Sequence, residues 1–158
     1  MIIKNIVHED FVNYKKPSMF IIFPKCSFKC DKECGRAICQ NSALVHSPDI
    51  EISVEKIVES YINNPITQSI VIGGLEPFDS AEELDNLIEA FRKKTKDEII
   101  IYTGYTEEEV QDLIEIYKMK YKPFVVKYGR FIPDCESHFD KILGVNLASP
   151  NQYAKKYE

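Results

Sequence analysis

Cys26, Cys30, Cys34 and Cys39 place four of the chain's five cysteines within a single short stretch. Thiolates so concentrated are the usual ligands of zinc and of iron–sulfur clusters. The spacings are C-x3-C, C-x3-C and C-x4-C, so none is the C-x2-C of most zinc ribbons. Four thiolates would still fill a closed tetrahedral zinc site, and free thiols without metal are the plain alternative. A second stretch, Gly73-Gly74-Leu75-Glu76-Pro77, allows a sharp backbone turn and a close approach to a ligand, although an ordinary strand-to-helix turn has the same look. His8, His46 and His138 have no partner at metal spacing, and Cys135 stands alone as a loop thiol.

The elements around these stretches are regular. Met19-Phe20-Ile21-Ile22-Phe23 is a continuous apolar run, the mark of a strand covered on both faces, and the cysteine stretch begins just after it. Residues 2–7 suggest a short strand, 8–17 a connecting loop, and the segment from the cysteines to Pro48 an irregular one. Ser53 opens a helix with Val54, Ile57, Val58 and Tyr61 on one face, and Asn63-Asn64-Pro65 ends it. Ile70–Ile72 is a second buried strand running into Gly73-Gly74. Ser80 and Glu83 read as a capping box for a helix with Leu84, Leu87, Ile88 and Phe91 inward. Ile99–Tyr102 is a third strand; Thr106 and Glu109 repeat the capping box before Val110, Leu113, Ile114 and Tyr117. Phe124–Val126 is a fourth strand and Lys141–Val145 a fifth. Strands alternating with single amphipathic helices predict an α/β fold with a mainly parallel sheet. In such a sheet the cysteine loop, Gly73–Ser80 and Thr103-Gly104-Tyr105 all follow the carboxyl ends of strands, where ligands bind.

Composition narrows the partners. The chain has 158 residues, the size of one domain spanning residues 1–158. A net charge of −5 argues against nucleic-acid binding through a broad basic surface, and Lys155 and Lys156 read as solvated charges. No apolar run is long enough for a membrane span and the N-terminus is unlike a signal peptide, so the expected location is the cytoplasm, where clustered thiols stay reduced.

Cys26-Ser27-Phe28-Lys29-Cys30 resembles the opening C-x3-C of the radical S-adenosylmethionine (SAM) enzymes. Cys39-Gln40-Asn41 resembles that superfamily's third cysteine and its sequel, with Asp31–Ile38 as an insertion carrying Cys34. The resemblance implies a [4Fe–4S] cluster on Cys26, Cys30 and Cys39, with Cys34 as the alternative third ligand. It leaves the fourth iron open to the amino and carboxylate groups of SAM. Gly73-Gly74-Leu75-Glu76-Pro77 is similar to the Gly-Gly-Glu-Pro signature that binds the methionine end of SAM, with Leu75 as an extra residue.

Tyr102–Thr106, Gly129-Arg130-Phe131 and Ser149-Pro150-Asn151-Gln152 are similar to segments of the activating proteins of anaerobic ribonucleoside-triphosphate reductases. That narrower resemblance adds Thr103 and Asn151 to Gly73, Gly74, Leu75 and Glu76 as implied cofactor contacts. No catalytic side chain is implied. One departure is Phe11–Pro17, which stands where those proteins carry a glycine-rich segment. The resemblance implies a partial β/α barrel with helices on its outer face, and the installation of a radical on a backbone glycine of a larger enzyme. An electron donor such as flavodoxin or ferredoxin would reduce the cluster. A radical SAM enzyme acting on a small molecule or peptide, and a non-enzymatic zinc or electron-transfer module built on the four clustered cysteines, are the competing expectations.

Overall fold

The computed structural model describes residues 1–158. In chain order the strands are β1 (Ile2–Ile3), β2 (Asn5–Asp10) and β3 (Ser18–Phe23). Helices α1 (Lys29–Cys34) and α2 (Ser42–His46), strand β4 (Ile50–Glu51) and helix α3 (Val54–Ile62) follow. Then come β5 (Ser69–Gly74), α4 (Ala81–Arg92), β6 (Glu98–Tyr102), α5 (Gln111–Lys120) and β7 (Phe124–Tyr128). The chain ends in β8 (His138–Asp140), β9 (Val145–Leu147) and β10 (Tyr153–Tyr157).

The apolar runs occupy the middle of a six-stranded sheet of order β10-β7-β6-β5-β3-β2. Its inner four strands are parallel, and β2 and β10 flank them antiparallel. The edge strands are mostly exposed, which is why their apolar signal is weak in the sequence. The sheet is open, with β2 and β10 at its ends, and does not close into a barrel.

The crossovers from β3 to β5, β5 to β6 and β6 to β7 each step to the neighbouring strand in the same direction. Crossovers of one hand then place their helices on one face. Ile57, Val58 and Tyr61 of α3, Leu84, Leu87, Ile88 and Phe91 of α4, and Ile114 and Tyr117 of α5 share a core with Met19, Ile21, Ile70, Ile72, Ile99, Ile101 and Val126. The alternate residues Val71, Ile100 and Val125 point to the other face together with Ala154 of β10, and Tyr14, Leu143 and Leu147 cover them. That second cover is the loop after β2 and the β8–β9 hairpin rather than a helix layer.

Helix ends follow the sequence in two places and depart in a third. Ser53 accepts from the Lys56 N–H. Thr106 and Glu109 form a reciprocal capping box, Thr106 N–H donating to the carboxylate at 2.9 Å and Glu109 N–H to the hydroxyl at 3.4 Å. Ser80 forms no such box. The chain enters α4 through a 3₁₀ turn over Pro77–Ser80 whose first N–H, that of Phe78, is taken by the Glu76 carboxylate, and Ser80 Oγ is buried without a partner. Three further expectations change. Residues 8–10 belong to β2, short helices α1 and α2 interrupt the segment read as irregular, and residues 141–144 are the turn between β8 and β9 with Leu143 buried. No helix is long and apolar enough to cross a membrane.

Candidate metal centre

The four parallel strands deliver their following loops to one edge. Phe23 leads to the cysteines, Gly74 to residues 75–80, Tyr102 to 103–105 and Tyr128 to 129–131. Hydrogen bonds fasten these loops to one another. Glu76 N–H donates to the Lys25 carbonyl at 2.7 Å, and Ser27 N–H to the Asp79 carboxylate at 2.6 Å. Asn41 Nδ2 donates to the Gly74 carbonyl at 2.7 Å. The Glu76 carboxylate accepts from Thr103 Oγ1 and from Gly104 N–H, both at 2.8 Å.

Two glycines make this closeness possible. Gly74 has φ 94°, and a Cβ there would lie 2.3 Å from Ile22 Cγ2. Gly129 has φ 100°, and a Cβ would lie 2.7 Å from the Asn151 carbonyl oxygen.

The loops enclose a cavity of about 360 Å³ at the carboxyl edge of the sheet. Cys26, Cys30 and Cys39 line it together with Asn41, Gly74, Leu75, Glu76, Thr103 and Lys127. Each thiol is positioned by its own device. Cys26 Sγ accepts from Phe28 N–H at 3.2 Å. Cys30 rides on the first turn of α1, takes a hydrogen bond from Phe131 N–H, and lies 3.8 Å from where a Cβ on Gly104 would stand. Cys39 is held through its N–H, which with that of Ile38 donates to Asp31 Oδ1 at 2.9 and 2.8 Å. Burial pushes the Cys26 thiol up to about 11, against the Phe28 N–H, and raises Cys30 in the same way.

No three His, Cys, Asp or Glu side chains converge around a single ion. The three thiols instead stand around one cavity, which suits a cube that offers each thiolate a different iron. The N–H donors to Cys26 and Cys30 are the hydrogen bonds by which a protein tunes such sulfurs. The donor set therefore fits a [4Fe–4S] cluster. Cys34 is exposed and lines an adjoining hollow with Cys30, Glu33 and Arg130, and Cys135 is exposed as well.

Two buried charges complete the wall. Burial drives the Glu76 carboxyl up to about 7, opposed by the hydrogen bonds from Gly104, Thr103 and Phe78. Burial lowers Lys127 to about 8, with Glu76 and Cys30 acting against it; its ammonium donates to the Gly129 carbonyl at 2.9 Å. Lys127 was missed at the level of sequence, although a lysine following Phe124-Val125-Val126 is itself a signal. Of the residues that the sequence assigns to a cofactor, Gly74, Leu75, Glu76 and Thr103 line the cavity. Gly73 lies behind it, packed against Tyr102 and Phe20. Asn151 borders the adjoining hollow and donates to the Arg130 carbonyl, while its neighbour Gln152 reaches the main cavity.

The chain belongs to the 4Fe-4S single cluster domain family, whose model matches residues 18–144. It is a [4Fe–4S] cluster-binding domain. Neither a search of curated proteins nor one of solved structures finds a match.

Proposed function

We propose that the protein is a radical SAM enzyme that activates a glycyl-radical enzyme, with an anaerobic ribonucleotide reductase as the expected target. The observation that supports this most is the meeting of the cysteine loop with Gly74–Glu76. Asn41 and Glu76 join the segment bearing Cys39, the Gly-Gly-Leu-Glu-Pro stretch and Thr103-Gly104 around one cavity.

In this reading Cys26, Cys30 and Cys39 hold the cluster, and Cys34 stands outside as a spare thiol. A cluster held there would supply the single electron for reductive cleavage of SAM to methionine and a 5′-deoxyadenosyl radical. The chain's own work is placement and exclusion. The backbone at Gly74 and Leu75 would receive the methionine end, and Glu76 fixes that turn against Thr103 and Gly104. Lys127 supplies the one ammonium on the cavity wall for the ligand's carboxylate. The open sheet serves as the wall of a partial β/α barrel whose mouth the partner closes, with flavodoxin or ferredoxin as electron donor.

The test incubates reduced holoprotein with SAM, with and without the reductase. Chromatography follows 5′-deoxyadenosine, and electron paramagnetic resonance follows an organic radical on the reductase. Cleavage without that radical discards the partner; no cleavage from a fully loaded, reduced cluster discards the enzyme class.

A further inference from the structure

The β8–β9 hairpin lies over the second face of the sheet and is two strands wide, so β9 has a neighbour on one side only. Three consecutive residues, Asn146 and Leu147 of β9 and Ala148 just after it, line the cavity that holds Cys26, Cys30 and Cys39. Successive strand side chains point to opposite faces. Leu147 indeed points down into the core beneath while Asn146 is exposed. Consecutive residues can border one space when the strand presents its edge to it.

That edge is unpaired. Outside the hairpin, the main-chain N–H and C=O groups of Val145, Asn146 and Leu147 bond to nothing, and the first satisfied group is Ala148 N–H, on Gln152 Oε1 at 3.0 Å. A row of free backbone donors and acceptors beside a cavity is a template for another strand. Phe139, paired across the hairpin with Asn146, is 60% exposed on the upper side and offers an apolar shelf next to that row.

We infer that β9 is the substrate-docking edge, where an extended polypeptide segment of the target adds as a strand through main-chain hydrogen bonds. Side chains of such a segment alternate between the shelf at Phe139 and the cavity with the cysteines. A residue with no Cβ leaves the most room on the cavity side, so a glycine is the residue the position favours. The inference rests on the proposed protein-glycine substrate and names its mode of recognition.

The test uses reconstituted holoprotein with SAM and a dye-labelled heptapeptide of alternating valine and threonine around a central glycine. Two further peptides carry N-methyl groups on the odd or on the even residues. Edge addition predicts that one methylated set loses about fivefold or more in affinity, as one or two hydrogen bonds of ~1 kcal/mol each require, while the other binds within about threefold of the parent. It also predicts slowed amide hydrogen exchange in residues 145–147. Phe139→Ser weakens the peptide several-fold at unchanged iron content. Absence of peptide binding, equal loss from both methylated sets, or unaltered exchange overturns the inference. Concentration-dependent self-association that protects residues 145–147 without peptide would also overturn it, assigning the edge to a second copy of the chain. Formation of 5′-deoxyadenosine without peptide is measured in parallel. Its failure strikes the proposed activity, while normal cleavage without peptide binding strikes the docking edge alone.

Discussion

Replacing Glu76 by Gln in the metal-free protein should flatten the pH dependence of its stability. A carboxyl raised from 4.5 to about 7 binds its proton more tightly folded than unfolded. Between those values this group makes the folded state hold more protons, so its contribution to stability is fullest at low pH and is lost as pH rises. The full effect is about 3 kcal/mol at ~1.4 kcal/mol per tenfold, nearly all of it expressed by pH 8. Glutamine is neutral throughout, but its amide group places a donor where the carboxylate accepts from Thr103, Gly104 and Phe78, at a cost of about 1–2 kcal/mol. Urea unfolding at pH 5, 6, 7 and 8 should therefore give curves that cross: the native protein ahead at pH 5 and the variant level or ahead at pH 8. A wild-type-minus-variant difference that stays constant across that range would refute the burial argument.

Three further outcomes follow from the site. Alanine at Cys26, Cys30 or Cys39 should abolish most iron uptake in anaerobic reconstitution, whereas Cys34→Ala should keep it. Cluster loss in Cys34→Ala with retention in Cys39→Ala would reverse the third-ligand assignment. Asp31→Ala should leave the fold intact and lower the iron content, because it frees the N–H groups of Ile38 and Cys39 that hold the third thiol in place; iron content equal to that of the native protein would contradict this. Gly74→Ala should cost roughly 2–5 kcal/mol in urea unfolding, from a positive φ together with the contact on Ile22. Gly35→Ala, at φ 68° in open space, should cost only about 1–2 kcal/mol.

Much of the frame was legible because burial writes itself into composition. Ser18–Phe23 and Ile70–Ile72 read as strands because both faces of the sheet are covered there, and the faces of α3 and α4 are those that their spacing marks. The convergence of three loops also followed from strand order alone. Tyr153–Tyr157 escaped notice because this edge strand carries Lys155 and Lys156 toward solvent, where they pair with Glu107 and Glu98. Ser80 failed as a cap because the helical turn starts earlier: a 3₁₀ turn over Pro77–Ser80 runs straight into α4, and Glu76 is its N-cap, accepting from the Phe78 N–H. Lys127 is a charge in an apolar strand, legible in principle, but its place on the same cavity wall as Glu76 depends on the strand order. Asn151 carried an expectation drawn from resemblance, while its side chain serves the Arg130 carbonyl.

In the proposed function the cluster is held by three thiolates, with one iron left for SAM. The most direct test of that claim is the electron paramagnetic resonance spectrum of the reduced holoprotein, recorded before and after SAM is added. The account predicts a spectrum whose g values shift on addition, in native protein and in Cys34→Ala alike. A spectrum of the native protein that SAM leaves unchanged would mean that the cluster has no open iron, and would contradict the claim.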